Sequence, residues 1–121
     1  MFKFINLEYL KSLSDNNTVF IIEMLETFKT QTPKELYILK QHYENENFNE
    51  LRKQAHKIKP TFPMIGVTGL ETDFKALETM GEKKIKDDTM FNTHFTKIEE
   101  LLKYVYPEIE QCLKLLRTNE L

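Results

Sequence analysis

The chain has a single cysteine, three glycines and no long apolar run, and each shortage excludes a class of protein. A lone Cys112 can form no intrachain disulfide, so stability has to come from packing, and the chain suits a reducing cytoplasm. Three glycines in 121 residues are too few for a turn-rich β protein or a glycine-rich phosphate loop. No stretch approaches the ~20 apolar residues that a membrane span needs. The opening "MFKFINLEYL" has neither an apolar h-region nor a small-residue cleavage site, which argues against a signal peptide. Neither sign of charge is in large excess. Seventeen Lys and Arg face nineteen Asp and Glu, and the net charge of −2 gives no global pull toward nucleic acid or membrane. No nucleotide-binding motif occurs, and no carboxylate cluster is suited to holding Mg²⁺.

What is present reads as helix. Hydrophobic residues at 40% and charged residues at 30% fit an ordinary globular chain, and 121 residues suit one domain, 1–121, with one core. Starting at Met1, such a chain is expected to act as a stand-alone protein. Phe4 to Leu13 form a short first element, closed by Ser14-Asp15-Asn16-Asn17, a turn followed by an N-cap. A second helix runs from about Thr18 to Tyr43, with Ile21, Leu25, Phe28, Leu36, Leu39 and Tyr43 on one stripe. The stripe keeps its phase across Pro33, which predicts one kinked helix there. Asn47 and Glu50 have capping-box spacing. The third helix then carries Phe48, Leu51, Ala55, Ile58, Phe62 and Ile65, alternately three and four apart, and stops at Gly66-Val67. Thr68 and Glu71 suggest a second capping box. The fourth helix carries Leu70, Phe74 and Leu77 and is expected to end near Gly81. After a polar loop, Phe91, Phe95, Ile98, Leu102, Val105, Ile109, Cys112 and Leu116 make the seam of a last helix, bent but not ended by Pro107. Short connections between four amphipathic helices predict an all-α, antiparallel up-down-up-down four-helix bundle, with the short N-terminal helix as a lid.

One histidine stands out. On a helical wheel His56 lies about 130° from the centre of the third helix's seam, on the solvent side. Arg52 and Lys59 sit one turn before and after it, with Lys53 and Pro63 flanking, and Glu50 is the only carboxylate on that face of the helix. Cations disfavour a charged imidazole, and a neutral imidazole offers a free ring nitrogen as nucleophile. The same cations would stabilise an anion built on that nitrogen. His42 and His94 lack such surroundings and read as solvated surface. Neither they nor His56 has the Glu three residues earlier that a bundle metal site uses, so no metal site is expected. Cys112 lies on an apolar seam and reads as core.

The stretch "AHKIKPTFPMIGVTGL" resembles the signature of the histidine-containing phosphotransfer (HPt) domain family, with Ala55, His56, Ile58, Lys59, Gly66 and Leu70 in place. The likeness extends outward from about Phe20 to Gly81. It implies a four-helix bundle that shuttles phosphate between receiver-domain aspartates, with His56 as phosphoacceptor and Lys59 as the phosphate-stabilising lysine. It also implies a phosphocarrier without kinase activity of its own, fed by a hybrid sensor histidine kinase and docking on response-regulator receiver domains. The receiver supplies any Mg²⁺, and a cytoplasmic monomer is expected. Arg52, Lys53, Pro60 and Pro63 would border the docking partner. One position departs from the family. Pro60 replaces the glycine that usually follows the lysine, which removes an N–H and adds a ring beside His56. Pro60 and Pro63 are expected to bend the third helix without ending it. A helical interaction module that docks on receivers without phosphate chemistry is the alternative reading.

Overall fold

The protein is described here by a computed structural model covering residues 2–121, and Met1 of the expected 1–121 domain lies outside the described residues. Six helices follow in order: α1 (Glu8–Ser14), α2 (Thr18–Glu44), α3 (Phe48–Ile58), α4 (Thr61–Met64), α5 (Glu71–Lys83) and α6 (Asp88–Arg117). No strand occurs among the described residues. α3 packs between α2 and α5, and α6 closes the ring against α5 and α2. Neighbours are antiparallel. The start of α2 meets the end of α6 through Glu26 and Arg117, while Tyr43 near the end of α2 bonds Asp88 at the start of α6. The result is the expected four-helix bundle, with α1 laid against α2 and Leu10 fully buried beneath it.

The apolar seams explain this arrangement. All six stripe residues of α2 and all eight of α6 are buried, as are Leu51, Ala55, Ile58, Phe62 and Ile65. Phe48 is only partly buried, at the rim of the core. Stacked Tyr43, Phe91 and Phe95 fill one end, and an edge-on trio of Phe28, Phe62 and Phe74 fills the other. Burial pushes the Cys112 thiol up to about 11, so it is a core residue and not a nucleophile. Asn17 caps α2 by accepting from the Phe20 N–H, as its place after the turn predicts.

Several local expectations are corrected. α3 ends at Ile58, so Pro60 and Pro63 do not merely bend one helix through to Ile65. Pro60 has no N–H for the His56 carbonyl, and the Thr61 hydroxyl caps the Ile58 carbonyl at 2.6 Å instead. A single turn, α4, keeps Phe62 and Ile65 in phase with the core. By contrast Pro33 and Pro107 both lie inside unbroken helices, on exposed faces. The first helix starts at Glu8, not Phe4, because the N–H groups of Lys3, Phe4 and Ile5 converge on the Glu108 carboxylate at 2.8–3.0 Å. That strap crosses Gly66, whose φ of +81° and lack of a Cβ let the Asn6 backbone pass directly over it. Neither expected capping box forms: Asn47 makes no side-chain cap, and Glu71 accepts from the Gly69 N–H instead. Gly81 does not end the fourth helix. It lies buried inside α5, which runs on to Lys83 with Lys84 in the left-handed region.

Candidate functional site

His56 sits in the last turn of α3, not mid-helix, because Pro60 ends the helix four residues later. Ala55 and Ile58 are fully buried against the core and hold the backbone on either side of it. The helical wheel then forces the imidazole outward, and its side chain is 73% exposed. A rigid rod thus presents one imidazole to solvent.

The surroundings of that ring are only partly those the sequence suggests. Lys59, the residue just past α3, is at the site. Its Nζ lies 2.8 Å from Glu78 Oε1, and His56 Nδ1 lies 3.5 Å from the same oxygen. Glu78 comes from α5, is only 11% exposed, and its Oε1 is buried and receives no hydrogen bond of good geometry among the described residues, so these two ion-pair contacts are what it has. A carboxylate beside Nδ1 favours the tautomer with the proton on Nδ1, which leaves Nε2 with its lone pair free. The other two cations are not gathered here. Arg52 turns back to Asn49, at 3.4 Å, and Lys53 pairs with Glu50 at 3.6 Å. Glu50 is therefore not the carboxylate that matters at His56. The relevant one arrives from a neighbouring helix, beyond the reach of a wheel drawn for one helix. Its signal is nonetheless in the sequence, since Glu78 falls four residues after Phe74, on the buried side of α5.

Pro60 and Pro63 are both exposed, beside Lys59 and over Phe62, Val67, Leu70 and Phe74. Together these residues line a shallow groove of about 430 Å³ next to the histidine, with Glu71 and Lys75 on its far wall. So the groove has an apolar floor and charged rims.

His94 is not the plain surface residue its sequence surroundings suggest. It is 23% exposed, and its Nδ1 meets Asp73 Oδ1 at 2.9 Å, with Lys97 Nζ 3.5 Å from the other oxygen. Asp73, buried on α5, thereby ties α5 to α6. His42 lies in the last turn of α2, as expected. Among the described residues, no group of three His, Cys, Asp or Glu side chains is placed to hold a metal ion.

Comparison with curated proteins and with solved structures gives no match. The Hpt domain family does match, over residues 23–119, a span that holds α3, α5, α6 and nearly all of α2. The chain carries that family's bundle and places a solvent-facing histidine on it, and it belongs to the Hpt domain family.

Proposed function

We propose that His56 is the phosphoacceptor of this Hpt domain and Lys59 the cation that steadies the transferred group. Hpt domains are phosphocarriers in phosphorelays and interact with receiver domains. The observation that carries the assignment to His56 is its exposure: it is the one histidine whose ring stands clear of the bundle, with a lysine at hand. His56 Nε2 attacks the phosphorus of a receiver's aspartyl phosphate in line. The P–O bond to the carboxylate breaks as the P–N bond forms, and the aspartate leaves as a carboxylate. A second receiver aspartate later reverses the step. Such transfer depends on positioning and charge stabilisation more than on covalent chemistry by the protein. The Nδ1 proton can stay toward Glu78 throughout, so attack from Nε2 needs no prior deprotonation.

The groove beside Pro60 and Pro63 supports a reading of these residues as part of the receiver-docking face. Arg52 and Lys53, one turn below, would meet the acidic rim of the receiver through their exposed edges. The partners are response-regulator receivers, which bring their own Mg²⁺, and a hybrid sensor histidine kinase upstream. Residues 1–121 act as one domain around a single core cluster, as a monomer. A buried, reduced Cys112 is in keeping with a cytoplasmic setting.

The test is a transfer screen with phosphorylated receivers from the same genome, with acid-labile phosphate mapped to its residue. The label should fall on His56. His56→Gln should take up none and still fold, because an exposed polar exchange changes stability by less than ~0.5 kcal/mol. Uptake by that variant from a receiver would move the site elsewhere.

A further inference from the structure

Lys59 has two prospective anions and only one ammonium. In the unphosphorylated protein that ammonium already lies 2.8 Å from Glu78 Oε1, at ion-pair distance though not in hydrogen-bond geometry. The 3.5 Å separation between Glu78 and His56 Nδ1 is longer than an ordinary N–H···O bond. Glu78 is therefore held first by Lys59 and only second by the histidine. It is also buried, so water replaces a lost cation poorly.

Phosphorylating Nε2 places a new negative group beside this pair. Lys59 can remain with Glu78, and then the phosphoryl oxygens face a carboxylate with no cation of their own. It can instead swing to the phosphoryl oxygens, and then Glu78 is left buried with no counter-ion. In a third arrangement the ammonium bridges both anions with its three N–H donors, and then one positive charge is shared between them. Of the other cations, Lys57 is engaged by Glu35 at 3.6 Å, Lys53 by Glu50 and Arg52 by Asn49, while Lys75 borders the same groove as Lys59. In each arrangement the negative charge of Glu78 makes the phosphohistidine less favourable than a neutral side chain of the same shape would.

We propose that Glu78 is a positioning residue that competes with the phosphoryl group for Lys59, and so biases this carrier toward giving phosphate away. The inference rests on His56 and Lys59 having the roles given above. It assigns Glu78 a thermodynamic task beyond orienting the imidazole. A carrier built this way holds little phosphate at equilibrium and passes it readily to a receiver.

A second carboxylate of this chain serves as an internal control. Asp73, also on α5, pairs with His94 and with Lys97 three residues on, repeating the layout of Glu78, His56 and Lys59 away from the exposed histidine. Removing its charge perturbs a buried ion pair of the same kind without touching the transfer site.

The experiment measures the equilibrium constant for phosphoryl exchange between this protein and the receiver that the transfer screen selects, above pH 8. Glu78→Gln should raise the phosphohistidine share about tenfold, equivalent to about 1.4 kcal/mol. Asp73→Asn should leave it within about twofold. Melting curves of both variants establish that they are folded. In the wild-type protein, loading His56 with phosphoramidate should move the side-chain ¹⁵N resonance of Lys59, a reading that needs no Glu78 variant to fold. An equilibrium in Glu78→Gln that is unchanged, or shifted toward the receiver, overturns the competition. So does an unmoved Lys59 resonance. If phosphate maps to a residue other than His56, the functional reading itself fails and this inference with it. The first two results leave His56 in place and sink only the role of Glu78.

Discussion

Replacing Gly81 with alanine adds a single methyl group where α5 passes close over the backbone of α3. A Cβ at this position would lie 2.6 Å from the Phe48 carbonyl oxygen and 2.7 Å from the Arg52 backbone nitrogen. Both atoms belong to the α3 backbone, so no side-chain rotation relieves the clash, and α3 and α5 must move apart. Overpacking of this kind costs typically 1–3 kcal/mol, and an unyielding backbone puts this case toward the upper end. Alanine's better helix propensity returns about 1 kcal/mol. The net expectation is a loss of about 1–2 kcal/mol. At roughly 4 °C per kcal/mol for a chain of this size, that is a fall of about 4–8 °C in Tm. Urea melts should show a lower midpoint with an unchanged slope. Gly81 lies one turn after Glu78 on the same helix, so the displacement should also disturb the contact between Glu78 and Lys59 and alter transfer kinetics. A variant as stable as the wild type, or more so, would mean that the two helices do not cross at this distance, and the reasoning from close approach would fail.

Lys59→Ala should slow transfer by roughly ten- to a hundredfold, from the ~1.5–3 kcal/mol typical of a charged hydrogen bond, while His56 remains phosphorylatable; unchanged rates would remove Lys59 from the mechanism. Pro60→Gly should change melting little and alter the rank order of receivers, and identical rates from several receivers would reduce Pro60 to a helix stop. Burial raises the phenols of Tyr43 and Tyr106 to about 12, helped at Tyr43 by its hydrogen bond to Asp88. Their stabilising contribution is therefore complete below the ordinary tyrosine value and lost as pH rises toward about 12; tyrosinate absorbance should show two late titrations, coinciding with unfolding. The same bond, together with Lys86, holds Asp88 below the usual carboxylate range. That contribution is present above the ordinary carboxylate pKa and disappears as pH falls, so Tyr43→Phe should flatten the acid limb of the stability profile.

The seams were readable because burial on one side of a helix leaves a period that nothing else in the sequence mimics. Every stripe residue of α2 and α6 went to the core for that reason, and the same wheel turned His56 outward. The end of α3 was misread because the seam continues in phase past Pro60. Periodicity reports which side chains are inward, not whether the backbone hydrogen bonds are continuous, and two prolines three positions apart decide the latter. Glu78, Asp73 and Gly81 were missed for a common reason: their partners lie on other helices. Gly81 has the composition of a helix stop and the use of a contact point. Both carboxylates sit on the inner side of α5 beside Phe74 and Leu77, where a buried charge signals a cation from elsewhere.

Pro33 and Pro107 give the long helices a shared mechanical property. Lys29 of α2 meets Glu110 of α6 at 2.8 Å, and because the helices are antiparallel, Pro33 stands at the height of Tyr106, next to Pro107, and borders one groove with Tyr106, Lys103 and Leu102. Neither proline can donate a hydrogen bond, so the carbonyls of Lys29 and Lys103 each lack their helical rung. On one side of this level the rods are clamped by Glu26, Lys29, Glu110 and Arg117, and on the other by Tyr43 and Asp88. α3 joins the same level, where Gln54 bonds the Glu35 carbonyl and Lys57 pairs with its carboxylate, on either side of His56. A partner pressing on the histidine therefore loads the bundle at the level where each long helix lacks one backbone hydrogen bond, between the two clamped ends.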